Sequence, residues 1–276
     1  GFKRGGGGML KDITLGQYFP GNTVAHRLDP RTKILLVTLY IIALFSAKGW
    51  MGYAVMAVTL AACVKVSHVG LRALVRGLKP LVFIIAFTGI LNMFFTPDTH
   101  YLWEWGILRV SVKGIENALF MVIRIMLLVM GTFLMTYTTS PIRLTDGLES
   151  LLNPLKKIHV PVHELAMMMA IALRFIPTLI EETDKIMSAQ KARGADFDSG
   201  NIFQKAKALV PILVPLFISA FRRADELATA MECRCYHGGE GRTKLHVLKY
   251  QRRDYVALAG GAVILALVVV LRRLGT

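Results

Sequence analysis

Long apolar stretches dominate the first half of the chain and return at its end. Five of them approach the length of a membrane-spanning helix: 34–47, 50–66, 81–95, 115–137 and 255–271. A helix needs roughly 20 mostly apolar residues to cross a hydrocarbon core that is about 30 Å thick. The pattern therefore predicts an all-α, polytopic membrane protein with about five transmembrane helices. Only Lys48 and Gly49 separate the first two stretches, which indicates a helical hairpin.

The positions of these spans divide the chain into four parts. Residues 1–8 form a predicted glycine-rich linker that lacks the apolar core of a signal peptide. Residues 9–138 are predicted to be an N-terminal membrane domain of about four spans. Residues 139–253 are predicted to be a cytoplasmic coupling domain, and 254–276 a C-terminal transmembrane helix.

Basic residues predict the orientation of the spans, because Lys and Arg near span ends resist translocation. The connection between the second and third spans carries four bases and no acid: Lys65, Arg72, Arg76 and Lys79. This connection is therefore predicted to be cytoplasmic, and the same rule places the N-terminus inside. Because the chain changes side at each span, residues 140–253 are then predicted to be cytoplasmic as well. The same count places Arg272 and Arg273 outside the cell, which disagrees with the preference of basic residues for the cytoplasmic side.

Composition narrows the class of protein further. The chain is 54% hydrophobic, with a mean hydropathy of +0.51 and a formal net charge of +15. These values exclude an ordinary soluble domain and favour a membrane protein with a basic face. The three cysteines, Cys63, Cys233 and Cys235, are too few for a multi-disulfide framework.

Two stretches in the predicted coupling domain have the same gradient of polarity. Residues 165–194 and 206–235 each begin apolar, contain proline, and end charged. A helix with an apolar half on the membrane and a wet tip would have this gradient. We therefore predict two similar helices that lie along the inner membrane face and extend towards the cytosol.

Small residues on these two helices suggest a crossing. Ala220, Ala224 and Ala228 recur every four residues on one face, and Ala189 supplies a small residue on the other helix. Small side chains let helix backbones approach closely, which predicts a crossing interface along this stripe. The alternative is that alanine is present only because it favours helix.

The ends of the two helices can be aligned. Ala192, Arg193 and Gly194 correspond to Cys233, Arg234 and Cys235, so that each helix ends in an arginine between small residues. Arginine is always charged, and its rigid donor fork binds carboxylates bidentately. An arginine near a helix C-terminus can also serve only as a partner of the helix dipole.

Four stretches together resemble one known family over nearly the whole chain from Met9. They are 26–33 (HRLDPRTK), 173–182 (LRFIPTLIEE), 189–194 (AQKARG) and 230–236 (AMECRCY). Their order and spacing resemble the transmembrane T component (EcfT family) of energy-coupling-factor (ECF) transporters, which import vitamins and metal ions.

This resemblance implies a function, a set of partners and a location in the bacterial cell membrane. In that family two Ala-Arg-Gly-like motifs dock into two cytoplasmic ABC-type ATPases, while the membrane helices and coupling region hold a substrate-binding S component. The resemblance assigns docking to Ala192, Arg193, Gly194, Cys233, Arg234 and Cys235. The second motif departs from the family pattern, because cysteines replace Ala and Gly around Arg234. We expect this departure to affect which ATPase the second motif selects.

The sequence predicts no catalytic, cofactor or metal site in this chain. No phosphate-binding Gly-x-x-x-x-Gly-Lys-Ser/Thr loop occurs, so any ATP hydrolysis belongs to partner subunits. Cys233, Cys235 and His237 could begin a zinc site, but only His246 is near enough to be a fourth ligand. The substrate, a vitamin or similar micronutrient, cannot be named from this chain.

Arg124 lies within the apolar stretch 115–137, where an arginine costs about 2.5–3.5 kcal/mol on insertion scales unless it is paired or wet. It is therefore a possible functional residue of the membrane region. The structural alternatives are a pair with a carboxylate such as Glu116, or snorkelling.

Two other functions fit parts of the sequence. One is the T subunit of a dedicated cobalt/nickel importer. The other is a multi-pass membrane enzyme for lipid-linked substrates, with Arg124 and Arg174 as anion contacts.

Overall fold

A computed structural model describes residues 18–19, 21–95, 101–105, 108–195, 197, 201–238 and 247–274. The linker predicted over 1–8 lies outside these residues. In the described part of the chain the helices are α1 Val24–Arg27, α2 Pro30–Ser46, α3 Gly49–Ser67, α4 Leu71–Leu78, α5 Val82–Phe95, α6 Val112–Thr138, α7 Pro141–Leu152, α8 Val162–Ala192, α9 Ile202–Glu232 and α10 Arg252–Arg273. Short 3-10 turns cover Lys79–Leu81 and Asn153–Ile158.

The prediction of an all-α, polytopic membrane protein is confirmed. Five described helical segments are long and apolar enough to cross a membrane: Gly49–Ser67, Leu71–Phe94, Val112–Thr138, Val162–Ala192 and Arg252–Arg273. The second of them joins α4, the 3-10 turn Lys79–Leu81 and most of α5. Four of them correspond to predicted spans. The fifth is α8, which the sequence analysis assigned to the coupling domain. The predicted span 34–47 lies in α2, which at 17 residues is shorter than these five helices.

One short β-hairpin was not predicted. Strands β1 Tyr101–Trp105 and β2 Leu108–Ser111 pair antiparallel between α5 and α6, with Trp103 opposite Val110. This segment lies between the predicted spans 81–95 and 115–137, and no strand was predicted for it. Its aromatic and β-branched residues favour strand, as the structure shows.

Contacts within the chain define two compact units, which are described separately. The span unit consists of the described residues of 18–151 and 247–274, and the helix-pair unit consists of those of 152–238. In the span unit α5 packs along α6, and α10 packs along α2. Its buried core draws on α2, α3, α4, α6 and α10 and includes Leu44, Met56, Leu74, Leu127 and Val268.

Polar contacts tie three helix ends together in the span unit. The Asp29 backbone N–H donates to Asp254 Oδ1 at 2.9 Å, which joins the start of α2 to the start of α10. Lys33 Nζ donates to the Thr138 carbonyl at 2.8 Å and to Thr139 Oγ1 at 3.1 Å, at the end of α6. The starts of α2 and α10 and the end of α6 therefore lie on one side of the unit.

Lys33 precedes the predicted span 34–47 by one residue and is 7% exposed. Burial lowers its pKa to about 8, and the neighbouring Arg143 acts in the same direction. Its two hydrogen bonds satisfy an ammonium group that burial would otherwise destabilise.

Candidate coupling site

A polar contact joins α8 and α9 in the helix-pair unit. Glu182 on α8 accepts hydrogen bonds from the Ser219 hydroxyl and, at 3.0 Å, from an Arg223 terminal nitrogen. The Glu182 and Arg223 side chains are 22% and 36% exposed, so water screens this ion pair only in part. We call these three residues the polar clamp.

A second contact arises from two prolines in α9. Within a helix, the carbonyl of Pro211 would accept from the N–H of residue 215, but Pro215 has no N–H. The orphaned Pro211 carbonyl instead accepts from Gln190 Nε2 of α8, at a long distance of 3.5 Å. The proline pair therefore leaves a backbone acceptor available to the facing helix.

These two contacts fix the direction of the helices. Moving along α8 from Glu182 to Gln190, the partner residues on α9 run backwards from Arg223 to Pro211. The two helices therefore run in opposite directions where they touch, and their C-terminal ends lie on opposite sides of the contact. With a rise of about 1.5 Å per residue, Arg193 lies about 5 Å beyond Gln190, and Arg234 about 16 Å beyond Arg223.

The predicted small-residue stripe lies beside this contact. Ala220 is partly buried, whereas Ala189, Ala224 and Ala228 are exposed in this chain. The side chains of α9 that hydrogen-bond to α8 in the polar clamp are those of Ser219 and Arg223. These two residues flank Ala220 in the sequence, and the crossing interface along the alanine stripe stays a prediction.

The α8 end is a Schellman motif. The Gly194 N–H donates to the Lys191 carbonyl at 3.0 Å, and the Ala195 N–H donates to the Gln190 carbonyl at 3.0 Å. This pattern requires a left-handed residue at Gly194, whose φ is +88°. Glycine adopts that conformation without steric cost.

The α9 end has the same hydrogen-bond pattern. The Cys235 N–H donates to the Glu232 carbonyl at 2.8 Å, and the Tyr236 N–H donates to the Met231 carbonyl at 3.0 Å. Cys235, with φ +56°, takes the left-handed position that Gly194 takes on α8. Arg193 and Arg234 thus immediately precede the left-handed residue in two equivalent caps.

Both arginines are exposed. Among the described residues, neither guanidinium makes a hydrogen bond, ion pair or ring contact within the chain. The flanking residues Ala192, Gly194, Cys233 and Cys235 are exposed as well. Each helix end therefore presents a single charged donor fork on a narrow, structured tip.

Arg124 has a partner that the sequence analysis did not consider. Its Nε donates to the Tyr53 hydroxyl at 2.8 Å, and its guanidinium carbon lies 5.7 Å from the Tyr53 ring centre and 5.8 Å from that of Phe45. Glu116 makes no ion pair with it among the described residues, although both line one cavity. Its partners are therefore aromatic residues on α2 and α3.

The cysteines of the second tip carry free thiols. Within the described ranges, no group of three or more His, Cys, Asp or Glu side chains is placed to hold a metal ion. His246, the possible fourth zinc ligand, lies outside the described residues, as does most of the glycine-rich segment 238–244.

Comparison with known proteins gives the family of the chain. A family model described as "Cobalt transport protein" matches residues 21–245, most of the sequence. A protein of Acidaminococcus fermentans named "Energy-coupling factor transporter transmembrane protein EcfT" is 56% identical over 265 residues, which cover 95% of this chain and 97% of that protein. The chain belongs to the EcfT family.

Other EcfT relatives are similar over nearly their full length. A Ruminiclostridium cellulolyticum protein with the same name is 54% identical over 246 residues, covering 89% of this chain and 92% of that protein. One from Bacillus subtilis is 46% identical over 264 residues, covering 96% and 100%. The resemblance found in the four sequence stretches is confirmed.

Membership of the EcfT family makes this chain the energy-coupling transmembrane component of an ECF transporter. The chain is a multi-pass membrane protein. The relatives are named as transporter components, which is consistent with a subunit that performs no catalysis of its own. Arg174, the other anion contact of the enzyme alternative, is an exposed residue of α8.

Proposed function

We propose that this chain links ATP hydrolysis by two cytoplasmic ABC-type ATPases to substrate uptake through a membrane S component, and that Arg193 and Arg234 are its two ATPase contacts. The observation that carries this proposal is the repeated tip. Two helices end in the same cap, each with an exposed arginine before the left-handed residue. One such arginine would be an ordinary dipole partner, whereas two equivalent ones suit two equivalent partners.

The polar clamp gives the two tips a mechanical connection. Because Glu182 bonds to Ser219 and Arg223, a displacement of one helix at the contact acts on the other. The α9 tip extends about 16 Å beyond the clamp and the α8 tip about 5 Å beyond its last contact. ATPase closure on ATP would move both tips, and the clamp would transmit that movement along the helices.

The apolar side of α9 is the surface that we assign to the S component. Phe217, Ile218 and Phe221 are 62%, 58% and 69% exposed in this chain. Large apolar side chains exposed together mark a contact with a partner or with lipid. Their position on the helix that carries Arg234 connects the ATPase contact to the S component through a single element.

The side that holds the starts of α2 and α10 and the end of α6 is proposed to face the cytoplasm. This orientation is supported by the four bases at the connection between the second and third predicted spans, which satisfy the positive-inside rule: Lys65, Arg72, Arg76 and Lys79. It places the N-terminus inside the cell. We propose a vitamin or similar micronutrient as the substrate, to be selected by the S component. A cobalt/nickel importer is the alternative that the description of the family model favours.

Copurification tests the proposal directly. The tagged chain is expressed with its cognate ATPases and S component, and subunit stoichiometry is measured after purification at moderate salt. Arg193→Ala and Arg234→Ala should each reduce recovery of ATPase, because losing one partner of a hydrogen-bonded charge pair costs about 2–5 kcal/mol. Arg222→Ala, an exposed arginine of α9 away from the tip, is the matched control and should leave recovery unchanged.

A second arm separates the partners. Phe221→Ser should reduce recovery of the S component while the ATPases remain bound. Full ATPase recovery in the Arg193→Ala and Arg234→Ala double variant would contradict the docking assignment. Unchanged S component in Phe221→Ser would contradict the assignment of the apolar face of α9.

A further inference from the structure

The span unit contains a cavity of about 530 Å³ that is distinct from the coupling tips. Three bases line it, Lys48 from the α2–α3 turn and Lys113 and Arg124 from α6, together with one acid, Glu116. Its volume falls within the range of small-ligand sites. The lining therefore has an excess of positive charge.

Arg124 is held in a fixed orientation in this cavity. Its Nε is occupied by the Tyr53 hydroxyl at 2.8 Å, and the rings of Tyr53 and Phe45 lie beside the guanidinium. Tyr53 itself is only 4% exposed, so the anchoring group is rigid. Within the described part of the chain, the two terminal nitrogens of Arg124 have no hydrogen-bond partner. A fork with two open donors fits a bidentate oxyanion.

The cavity lies at one end of the membrane-spanning helices. Phe45 and Tyr53 are each within about one and a half helical turns of the α2–α3 reversal at Lys48. Arg124 is therefore near the end of the α2–α3 hairpin, although it is central in the sequence of α6. Trp50 packs on Phe120 with ring centres 4.9 Å apart and remains 56% exposed. Tryptophan at such a position is typical of the level of lipid headgroups.

The surface near this end is apolar. Phe45 is 59% exposed and Met51 57% exposed, on the two helices that the reversal joins. A soluble anion would gain nothing from these side chains, whereas the acyl chains of a lipid would cover them.

We propose that this cavity binds a phosphate oxyanion through Arg124, with Lys48 and Lys113 adding positive charge, and that the phosphate belongs to the headgroup of an anionic phospholipid. The arginine fork supplies the directional contact, and the net charge of the lining selects an anionic headgroup over a zwitterionic one. Binding would also supply acceptors for the two terminal nitrogens of Arg124.

Lipid binding to the purified full chain tests this proposal. Native mass spectrometry in detergent would compare phosphatidylglycerol with phosphatidylcholine, and separate samples would contain glycerol 3-phosphate or inorganic phosphate. Arg124→Gln should weaken phosphatidylglycerol binding about tenfold, since a hydrogen bond to a charged group contributes enough for that factor. Glu116→Gln should strengthen it about two- to threefold by removing the acid. Lys79→Gln, an exposed base outside the cavity, should not change it.

Several results would overturn the proposal. Equal binding of phosphatidylglycerol and phosphatidylcholine would contradict the proposed headgroup site. Unchanged phosphatidylglycerol binding in Arg124→Gln would contradict it as well. Binding of glycerol 3-phosphate or inorganic phosphate without lipid selectivity would overturn the lipid source. If Arg124→Gln does not fold, Glu116→Gln and Lys48→Gln decide the question, because both residues are exposed. Binding that does not increase in Glu116→Gln and decrease in Lys48→Gln would then contradict the proposal.

Discussion

The cap at the C-terminal end of α9 has a cysteine at the left-handed position, where helix caps usually have glycine. Cys235 has φ +56°, in the left-handed region that a Cβ atom disfavours, whereas Gly194 has φ +88° at the equivalent position. A side chain in this conformation costs roughly 1–2 kcal/mol relative to glycine. Cys235→Gly should therefore stabilise the α9 end by about 1 kcal/mol, even after the greater freedom of glycine in the unfolded chain is counted.

Hydrogen exchange of one amide measures this change locally. The Tyr236 N–H closes the cap by donating to the Met231 carbonyl at 3.0 Å, so its exchange follows opening of the cap. A gain of about 1 kcal/mol should slow that exchange roughly fivefold in Cys235→Gly. Gly194→Ala is the mirror experiment on α8, because an added Cβ would meet no atom within 4 Å and only the backbone cost remains. It should accelerate exchange of the Ala195 amide by a similar factor.

Cys233→Gly is the matched control. Cys233 is also exposed and has φ −58°, an ordinary helical value, so glycine relieves no strain there and instead loosens the last turn. The two cysteine substitutions should thus change Tyr236 exchange in opposite directions. If both accelerate it, the left-handed cost at Cys235 is not what limits the cap. ATPase recovery should survive in Cys235→Gly, since Arg234 keeps its place.

Two further substitutions test the packing. Arg223→Ala should lower the free energy of unfolding of the full chain in detergent by about 1–2 kcal/mol, because it leaves Glu182 without its ion pair and one hydrogen bond. Ala224→Leu changes the next residue, which is exposed, and should not lower that free energy. Equal losses of stability in the two variants would contradict the polar clamp. Gly114→Ala should cost about 1–3 kcal/mol, because a Cβ there would lie 2.7 Å from the Met93 carbonyl oxygen. Gly260→Ala, which meets no atom within 4 Å, is its control in the same melting experiment, and identical midpoints would contradict the close approach of α5 and α6.

The sequence predicted the helices well. The predicted spans 50–66 and 255–271 correspond to α3 Gly49–Ser67 and α10 Arg252–Arg273, and the two coupling stretches correspond to α8 and α9. Apolar length and the polarity gradient are local properties, so they can be read without knowing what a helix touches. The pairing of the Arg193 and Arg234 motifs was also visible, because it depends on residue order alone. Their role as docking residues stays a prediction.

The face of α9 that hydrogen-bonds to α8 could not be predicted from the local sequence. Neighbouring helix residues point about 100° apart, so Arg223 and the adjacent Ala224 face different surroundings, and alanine spacing alone could not choose between them. Charges at Glu182 and Arg223 were evident in the sequence, but their pairing depends on the opposite directions of α8 and α9. The same holds for Arg124, whose partner Tyr53 is 71 residues away.

By itself, then, the sequence determined the helical, membrane-spanning class, the helix bounds to within a few residues and the resemblance to the EcfT family. Only the tertiary structure decided which side chains meet. It joined Asp29 to Asp254 across 225 residues of chain, set the polar clamp, and placed Cys235 in a left-handed cap. Hydrophobic periodicity specifies which segments leave water, whereas pairing between segments depends on helix rotation and register, which are fixed when the elements pack together.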